Sequence, residues 1–153
     1  MVIPNWQKIT GLGVYLLPWS DALPFGSNLF VEFPFLQTIA IPALPLIIIE
    51  RLIPFGGFII FIGLFAGVVR NPKVPYFIRF NCLQAILLDI SLILINYAFQ
   101  ILLKPLGNAL IFRTLSSTCL IAMLSVMIFA VSKCLQGEEP DIPGFSEAVR
   151  MQL

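Results

Sequence analysis

Long stretches without a charged side chain constrain this chain most strongly. No residue from Phe33 to Ile49 is charged. Only 11% of the 153 residues are charged and 59% are hydrophobic, whereas soluble domains carry about 25% charged residues. A water-soluble globular enzyme and an intrinsically disordered chain are therefore excluded, and the chain is expected to reside in a bilayer.

The hydropathy pattern predicts an all-α membrane protein that crosses the bilayer four times. A helix needs about 20 apolar residues to cross a hydrocarbon core, and four stretches fit, at about 29–51, 52–69, 75–103 and 108–132. Because proline removes a backbone donor, Pro42 and Pro45 should bend the first span. Residues 29–134 thus form the predicted transmembrane domain.

The two ends of the chain are predicted to lie outside the spans. Residues 1–28 hold only 12 uncharged residues between Lys8 and Asp21, interrupted by Pro18. We expect a short amphipathic helix at the membrane surface, with three aromatic side chains at headgroup level, namely Trp6, Tyr15 and Trp19. This segment resembles neither a secretory signal nor a transit peptide. Residues 135–153 are predicted to form a polar, acidic tail.

The distribution of basic residues predicts the orientation. Four spans place both termini on one side, together with the loop between the second and third spans. That side carries six basic residues: Lys8, Arg70, Lys73, Arg79, Lys133 and Arg150. The other side carries three: Arg51, Lys104 and Arg113. The positive-inside rule therefore places the termini on the cytosol-like side.

The composition argues against most catalytic and cofactor chemistry. The chain has no histidine, and its three cysteines are too far apart for a zinc site; they are Cys82, Cys119 and Cys134. We therefore expect no catalytic residue, metal or cofactor. A net charge of +1 leaves no basic face for nucleic acid. An aspartic protease needs two acids that share a site, and the sequence predicts Asp89 as the only acid deep in a span.

Asp89 is the most unusual residue, because a carboxylate near the middle of a span costs a few kcal/mol or more unless it is paired or neutral. At 100° per residue, four polar side chains fall within about 40° of one another on the third span: Cys82, Asp89, Asn96 and Gln100. Such a stripe faces protein or trapped water. It forms either the wall of a polar groove, relay or substrate path, or a set of interhelical hydrogen bonds to Ser116, Ser117 or Thr118.

Small residues on the second span suggest a packing face. Gly63 and Gly67 form a GxxxG pattern, and Gly56 lies on the same helical face. Close backbone approach along this face serves either packing within the chain or association with a second copy or a partner helix.

The central part of the chain resembles a known family. Its segments Val68-Val69-Arg70-Asn71, Arg79-Phe80-Asn81 and Gln84-Ala85-Ile86-Leu87-Leu88-Asp89-Ile90 closely resemble the signature of the Tic-twenty (Tic20) family, the twenty-kilodalton subunit of the translocon at the chloroplast inner envelope. Tyr15-Leu16-Leu17-Pro18 with Asp21 resembles the family's N-terminal motif, and the likeness extends to the C-terminal end. Cys82-Leu83 departs from the common Ala-Met, and the tail is unusually acidic.

The resemblance implies a plastid-encoded or cyanobacterial-type member with four spans and termini that face the stroma. It implies a non-enzymatic membrane subunit that helps precursor proteins cross the inner envelope, as part of the pore wall or as a core scaffold. The implied partners are other TIC and TOC subunits, precursors in transit and membrane lipid. The implied alternative location is a cyanobacterial plasma membrane. The residues alone also allow a small ion or metabolite transporter that uses Asp89.

Overall fold

The computed structural model describes residues 2–153, and within this range it contains helices and no strand. Eight α-helices follow one another: α1 Asn5–Gly13, α2 Leu16–Ala22, α3 Ser27–Glu32, α4 Leu44–Leu52, α5 Gly56–Leu64, α6 Tyr76–Ala98, α7 Ala109–Gln136 and α8 Phe145–Gln152. Short 3₁₀ and π segments join or extend several of them, at Leu23–Gly26, Pro34–Ala43, Phe65–Val69, Phe99–Leu103 and Lys104–Leu106.

Three continuous helical stretches are long and apolar enough to cross a membrane: Pro34–Leu52, Tyr76–Leu106 and Ala109–Gln136. A shorter apolar helix covers Gly56–Val69. Large apolar side chains such as Ile121 and Ile128 are exposed on α7, as expected of a surface that faces lipid. The predicted all-α membrane protein with about four spans is therefore confirmed.

Prolines interrupt the first predicted span. α3 ends at Glu32, and Phe33 leaves helical geometry with φ −128° and ψ 80°, because a residue that precedes proline disfavours the α region. Pro34–Ala43 is a 3₁₀ helix with Pro42 inside it, and α-helical geometry resumes only at Leu44.

α6 is the helix on which the rest of the bundle packs. Its N-terminal half is buried on all sides, with buried residues that include Phe77, Ile78, Phe80, Asn81, Cys82, Leu83, Gln84, Ala85, Ile86 and Leu88. α1, α2, α8 and the Phe65–Val69 segment all contact it. At the opposite end of the bundle, the Phe99 ring lies 5.7 Å from that of Phe25 and 6.3 Å from that of Phe112.

The N-terminal segment runs along α7. A Cβ atom at Gly137, beyond the last residue of α7, would lie 3.1 Å from Lys8 Cε. Near the first turn of α7, Arg113 forms an ion pair with Glu32. The segment is therefore antiparallel to α7 over nearly its whole length.

Two of the three aromatic residues predicted at headgroup level are instead core residues. Trp6 is 56% exposed, but Tyr15 is fully buried and Trp19 is 5% exposed. Their polar atoms find partners within the protein, because the Tyr15 hydroxyl donates to Asn81 Oδ1 at 3.0 Å and Trp19 Nε1 donates to the Ile39 carbonyl at 3.0 Å. Both side chains can therefore be buried in the protein, away from the membrane surface, without leaving a donor unpaired.

The C-terminal tail folds back onto α6. Gln84 Nε2 donates to the Pro140 carbonyl at 2.9 Å, and the Ser146 hydroxyl donates to Gln84 Oε1 at 2.9 Å. Gln84 and Ser146 are both fully buried. The guanidinium of Arg150 lies 5.5 Å from the centre of the Phe80 ring. Both termini therefore gather at the end of the bundle that holds the Val69–Arg79 connection.

The packing along α7 predicts the sidedness of the N-terminal segment. In a variant whose cysteines are replaced by alanine, Val2→Cys and Val31→Cys place single thiols at two exposed positions. Because α7 is long enough to span the membrane, we expect a membrane-impermeant maleimide to reach the two thiols from opposite sides of sealed vesicles. The number of crossings then stays at four, because Pro34–Leu52 and Gly56–Val69 together make one of them. Labelling of both from the same side would indicate a helix that lies on the membrane surface.

Removal of the Ser146 hydroxyl should release the tail. Ser146→Ala leaves Gln84 Oε1 and the Ile142 amide without their partner, at a cost of about 1–3 kcal/mol. Thermal unfolding in detergent should shift to lower temperature, and limited proteolysis between residues 137 and 144 should accelerate. Ser132→Ala is the matched control, since that exposed hydroxyl bonds only to the Ile128 carbonyl of its own helix. Equal behaviour of the two variants would show that the tail is held by other contacts.

Candidate functional site

Asp89 is a buried carboxylate without a complete set of partners. The residue is 4% exposed, and its Oδ1 atom has no hydrogen-bond partner. Buried polar atoms in folded proteins are nearly always paired, so an exception calls for a physical explanation. The position within α6 makes this exception more costly, because lipid offers no hydrogen bonds.

A cavity of about 400 Å³ lies beside Asp89. Asp21 of α2 and Glu50 of α4 also line it, so three helices each contribute one carboxyl group. The remaining wall consists of apolar groups and a glycine: Leu17, Gly57, Phe58, Phe61, Ile90, Ile93 and Leu94. We call this space the acidic cavity.

Local structure explains how Asp21 and Glu50 reach Asp89. Trp19 anchors α2 through its bond to the Ile39 carbonyl, two residues before Asp21. Glu50 lies where α4 turns into α5, and Gly56 makes that turn possible. A Cβ atom at Gly56 would stand 2.7 Å from the Glu50 carbonyl oxygen, so only glycine allows the two helices to approach this closely there.

The acidic cavity lacks a compensating positive charge. Its lining residues include no lysine or arginine. The salt bridges within residues 2–153 join other groups: Arg113 with Glu32, Lys133 with Glu138, and Arg150 with both Glu139 and Asp141. Carboxylates that share an apolar cavity repel one another when ionised. Charge balance therefore requires bound protons or a cationic ligand.

A second cavity, of about 480 Å³, lies next to the first. Asp21 and Ile93 line both spaces, and Asn96 and Gln100 line the second. Gln100 Nε2 donates to Asn96 Oδ1 at 3.4 Å. We call the combined space the α2–α6 groove, defined by Asp21, Asp89, Asn96 and Gln100.

The structure thus brings three of the four stripe residues to one groove, and the fourth lies elsewhere. Cys82 is fully buried, and its Sγ lies 3.9 Å from the Leu64 carbonyl oxygen. The predicted serine and threonine partners of Asp89 on α7 are not used. Thr118 donates to the Thr114 carbonyl, and Ser117 and Thr118 border a different cleft.

Asp21 and Glu50 were not predicted as site residues. Each ends an uncharged stretch and therefore resembles a flanking charge. The prediction of Asp89 as the only acid deep in a span thus overlooked two acids that line the same cavity. A signal for Asp21 exists in the sequence, since it belongs to the N-terminal motif that resembles the Tic-twenty family. No comparable signal marks Glu50, whose position depends on the turn at Gly56.

The signature residues around Asp89 hold the bundle together. Asn81 is fully buried. Its Oδ1 accepts bonds from the Tyr15 hydroxyl at 3.0 Å and from Cys134 Sγ at 3.1 Å, so one side chain ties the N-terminal segment and α7 to α6. Gln84 and Phe80 hold the tail, as described above.

The remaining signature residues shape the connection between α5 and α6. Arg79 Nε donates to the Val69 carbonyl at 2.9 Å, and the Arg70 guanidinium lies 5.3 Å from the centre of the Phe65 ring. Asn71 Oδ1 accepts a bond from the Lys73 amide at 3.0 Å, which fixes the turn.

The three glycines of the predicted packing face differ in their surroundings. Gly56 contacts the end of α4, whereas no atom lies within 4 Å of a Cβ built at Gly63 or Gly67. A packing role for these two glycines stays a prediction and requires another chain. In the part of the chain that is described, no group of three potential ligands could hold a metal ion, and Cys82, Cys119 and Cys134 are free thiols.

Comparison with known proteins places these features in a family. Residues 4–149 match the family model described as "Chloroplast import apparatus Tic20-like". The chain is 38% identical to the Tic20 family protein of the cyanobacterium Synechocystis over 92% of this chain and 88% of that protein. It is 34% identical to Protein TIC 20-v, chloroplastic, of Arabidopsis thaliana, over 96% and 71%. It is 33% identical to the Tic20 family protein Ycf60 of the alga Gracilaria tenuistipitata, over 91% and 71%.

Two asparagines on α6 should respond differently to the same substitution. Asn81→Ala removes the acceptor of both Tyr15 and Cys134, so we expect it to lower the free energy of unfolding by about 1–3 kcal/mol. Asn96→Ala changes an exposed groove residue and should change that free energy by no more than about 0.5 kcal/mol. Denaturant unfolding in detergent measures both. Similar losses in the two variants would contradict the structural role given to Asn81.

Proposed function

This chain belongs to the Tic20 family, and on that premise we propose that it is a membrane subunit of a protein-import translocon. We further propose that the α2–α6 groove forms part of the wall along which precursor polypeptides cross the membrane. The observation that carries this proposal is the placement of Asp21, Asp89, Asn96 and Gln100 along one groove.

The chemistry of the groove suits a polypeptide in transit. An extended segment exposes backbone N–H and C=O groups that lipid leaves unsatisfied, at a cost of several kcal/mol each. Carboxyl and amide side chains accept bonds from the N–H groups, and the amides of Asn96 and Gln100 can donate to carbonyl groups. The apolar wall beside them accommodates apolar side chains of the same segment.

The driving force and the receptor that first binds a precursor are assigned to partners. All the described helices form the bundle or pack on it, and none forms a separate domain that could act as a receptor or a motor. The proposed partners are therefore other TIC subunits, TOC subunits and the precursors themselves. In this arrangement the chain acts either as pore wall or, where another subunit completes the passage, as the core scaffold on which the passage is built.

We assign the protein to the inner envelope membrane of a plastid, with its termini facing the stroma. Both termini lie at the bundle end that carries Lys8, Arg70, Lys73 and Arg79, and the positive-inside rule favours that end for the stroma. Because a cyanobacterial relative matches over most of its length, the plasma membrane of a cyanobacterium is the alternative site.

The proposed role is not enzymatic. The sequence-based objection to an aspartic dyad no longer holds, since Asp21 and Asp89 line the same cavity. The Tic20 family is described as an import-apparatus family and not as an enzyme family, and this supports a transport subunit.

Site-specific photo-crosslinking tests the pore-wall role. Photoreactive residues at Asn96 and Gln100 should capture a precursor arrested in transit, because both side chains line the groove. The same residue at Ile128, exposed on α7, should label lipid or another subunit. Lipid labelling from all three positions would contradict a role in the pore wall. An ion flux in liposomes without precursor, abolished by Asp89→Asn, would instead support the transporter alternative.

A further inference from the structure

We propose that the acidic cavity binds a basic side chain, the ammonium of a lysine or the guanidinium of an arginine, from a polypeptide in transit. This rests on the proposed function, because it names what the α2–α6 groove recognises. Asp21, Glu50 and Asp89 supply the negative charge.

The first support is that no basic side chain lines the cavity to balance the charge of the three acids when they are ionised. Three helices bring one acid each to one cavity, and the lining of both that cavity and the adjoining groove space contains no lysine or arginine. The salt bridges described above all lie elsewhere in residues 2–153. A cation that enters the cavity would therefore not have to displace a basic side chain of the lining.

The second support is the unpaired Oδ1 atom of Asp89. The atom is a buried acceptor, and Asp89, which is 4% exposed, is one of the residues that line the acidic cavity. An N–H donor from a ligand would satisfy it with a charge-assisted bond, which is about twice as strong as a neutral one. Because the acceptor lacks a protein partner, a ligand gains this bond without breaking another.

The size and the walls of the cavity favour an organic cation. About 400 Å³ is far more than a bare ion fills, and no three potential ligands in the described chain, the three acids of the cavity included, are placed so that they could hold a metal ion. Lysine and arginine carry long apolar stems below their charged groups, and Leu17, Ile90 and Ile93 offer matching surface. Phe58 and Phe61 add aromatic rings, which attract cations.

The proposed ligand also predicts a preference among polypeptides. Organellar transit peptides are rich in arginine and serine and poor in acids. An acidic cavity that opens to the groove attracts such segments and repels acidic ones, so charge supplies selectivity. The amides of Asn96 and Gln100 would bond serine hydroxyls of the same segment.

A matched pair of peptides tests this without altering the protein. The full chain is reconstituted in phosphatidylcholine nanodiscs, which carry no net charge. The probes are a labelled peptide of about 20 residues, rich in serine and arginine and free of acids, and the same peptide with citrulline at every arginine. We expect the citrulline peptide to bind at least about tenfold more weakly, as removal of one member of a buried charged contact predicts.

Variants of the chain locate the effect. Asp89→Asn and Asp21→Asn should each weaken the arginine peptide at least about tenfold and leave the citrulline peptide unchanged. Glu147→Gln removes an exposed carboxylate of the tail and should change binding less than about twofold. Thermal unfolding of each variant checks that it is folded, and the peptide pair on the unaltered chain decides the matter if a variant is not.

Three results would overturn the inference. The two peptides could bind equally, Asp89→Asn could match Glu147→Gln, or spermidine could bind as tightly as the peptide, which would show a site for small cations. These failures are distinct from failure of the proposed function. Crosslinks from Asn96 that do not depend on arginine would leave the translocon role intact, whereas a loss of all precursor crosslinks would contradict it.

Discussion

Every polar group inside a bilayer must find its partner within the protein, and on α6 this requirement organises the whole bundle. Asn81 receives the Tyr15 hydroxyl and the Cys134 thiol, and Gln84 bonds with Ser146 and the Pro140 carbonyl. Through these bonds the N-terminal segment, α7 and the tail are all attached to one helix. The polar side chains of the N-terminal half of α6 therefore act as the fixed frame of the molecule.

Asp89 lies on the same helix, but its carboxyl group does not find a complete set of partners within the protein. Its Oδ1 atom is buried without a partner, and two further acids, Asp21 and Glu50, line the cavity beside it. A side chain that costs free energy without stabilising the fold is a candidate for function. Asn81 and Gln84 are paired within the protein and stabilise the bundle, whereas Asp89 keeps an unpaired acceptor that a ligand could bind. Asp89 lies about one to two helical turns from Gln84 and Asn81 along α6.

Much of this arrangement could be predicted from the sequence, because hydropathy and helical periodicity are local. The apolar runs predict the α6 and α7 helices, and the 100° repeat predicts that Asp89, Asn96 and Gln100 share a face. Cys82 shares the angle but not the groove, since the segment that ends α5 covers it and its thiol lies by the Leu64 carbonyl. Helical periodicity predicts which residues share a face of a helix, but it does not predict which part of the protein packs against each turn of that face.

What the sequence could not supply depends on distant partners. The N-terminal segment reads as too polar to enter the bundle, yet Tyr15 is satisfied by a residue 66 positions away. Asp21 and Glu50 meet Asp89 only because a tight turn at Gly56 and the anchoring of Trp19 bring three helices together. Only the fold shows which distant residues lie together, and it shows that Asp89 is one of three acids that line a single cavity.

Electron cryomicroscopy of an arrested precursor in the native translocon tests most directly whether the α2–α6 groove carries a polypeptide past Asp89. We expect extended polypeptide density between α2 and α6, with a basic side chain that reaches the acidic cavity between Asp21, Glu50 and Asp89. Lipid density in the groove, with the precursor crossing elsewhere, would contradict this expectation.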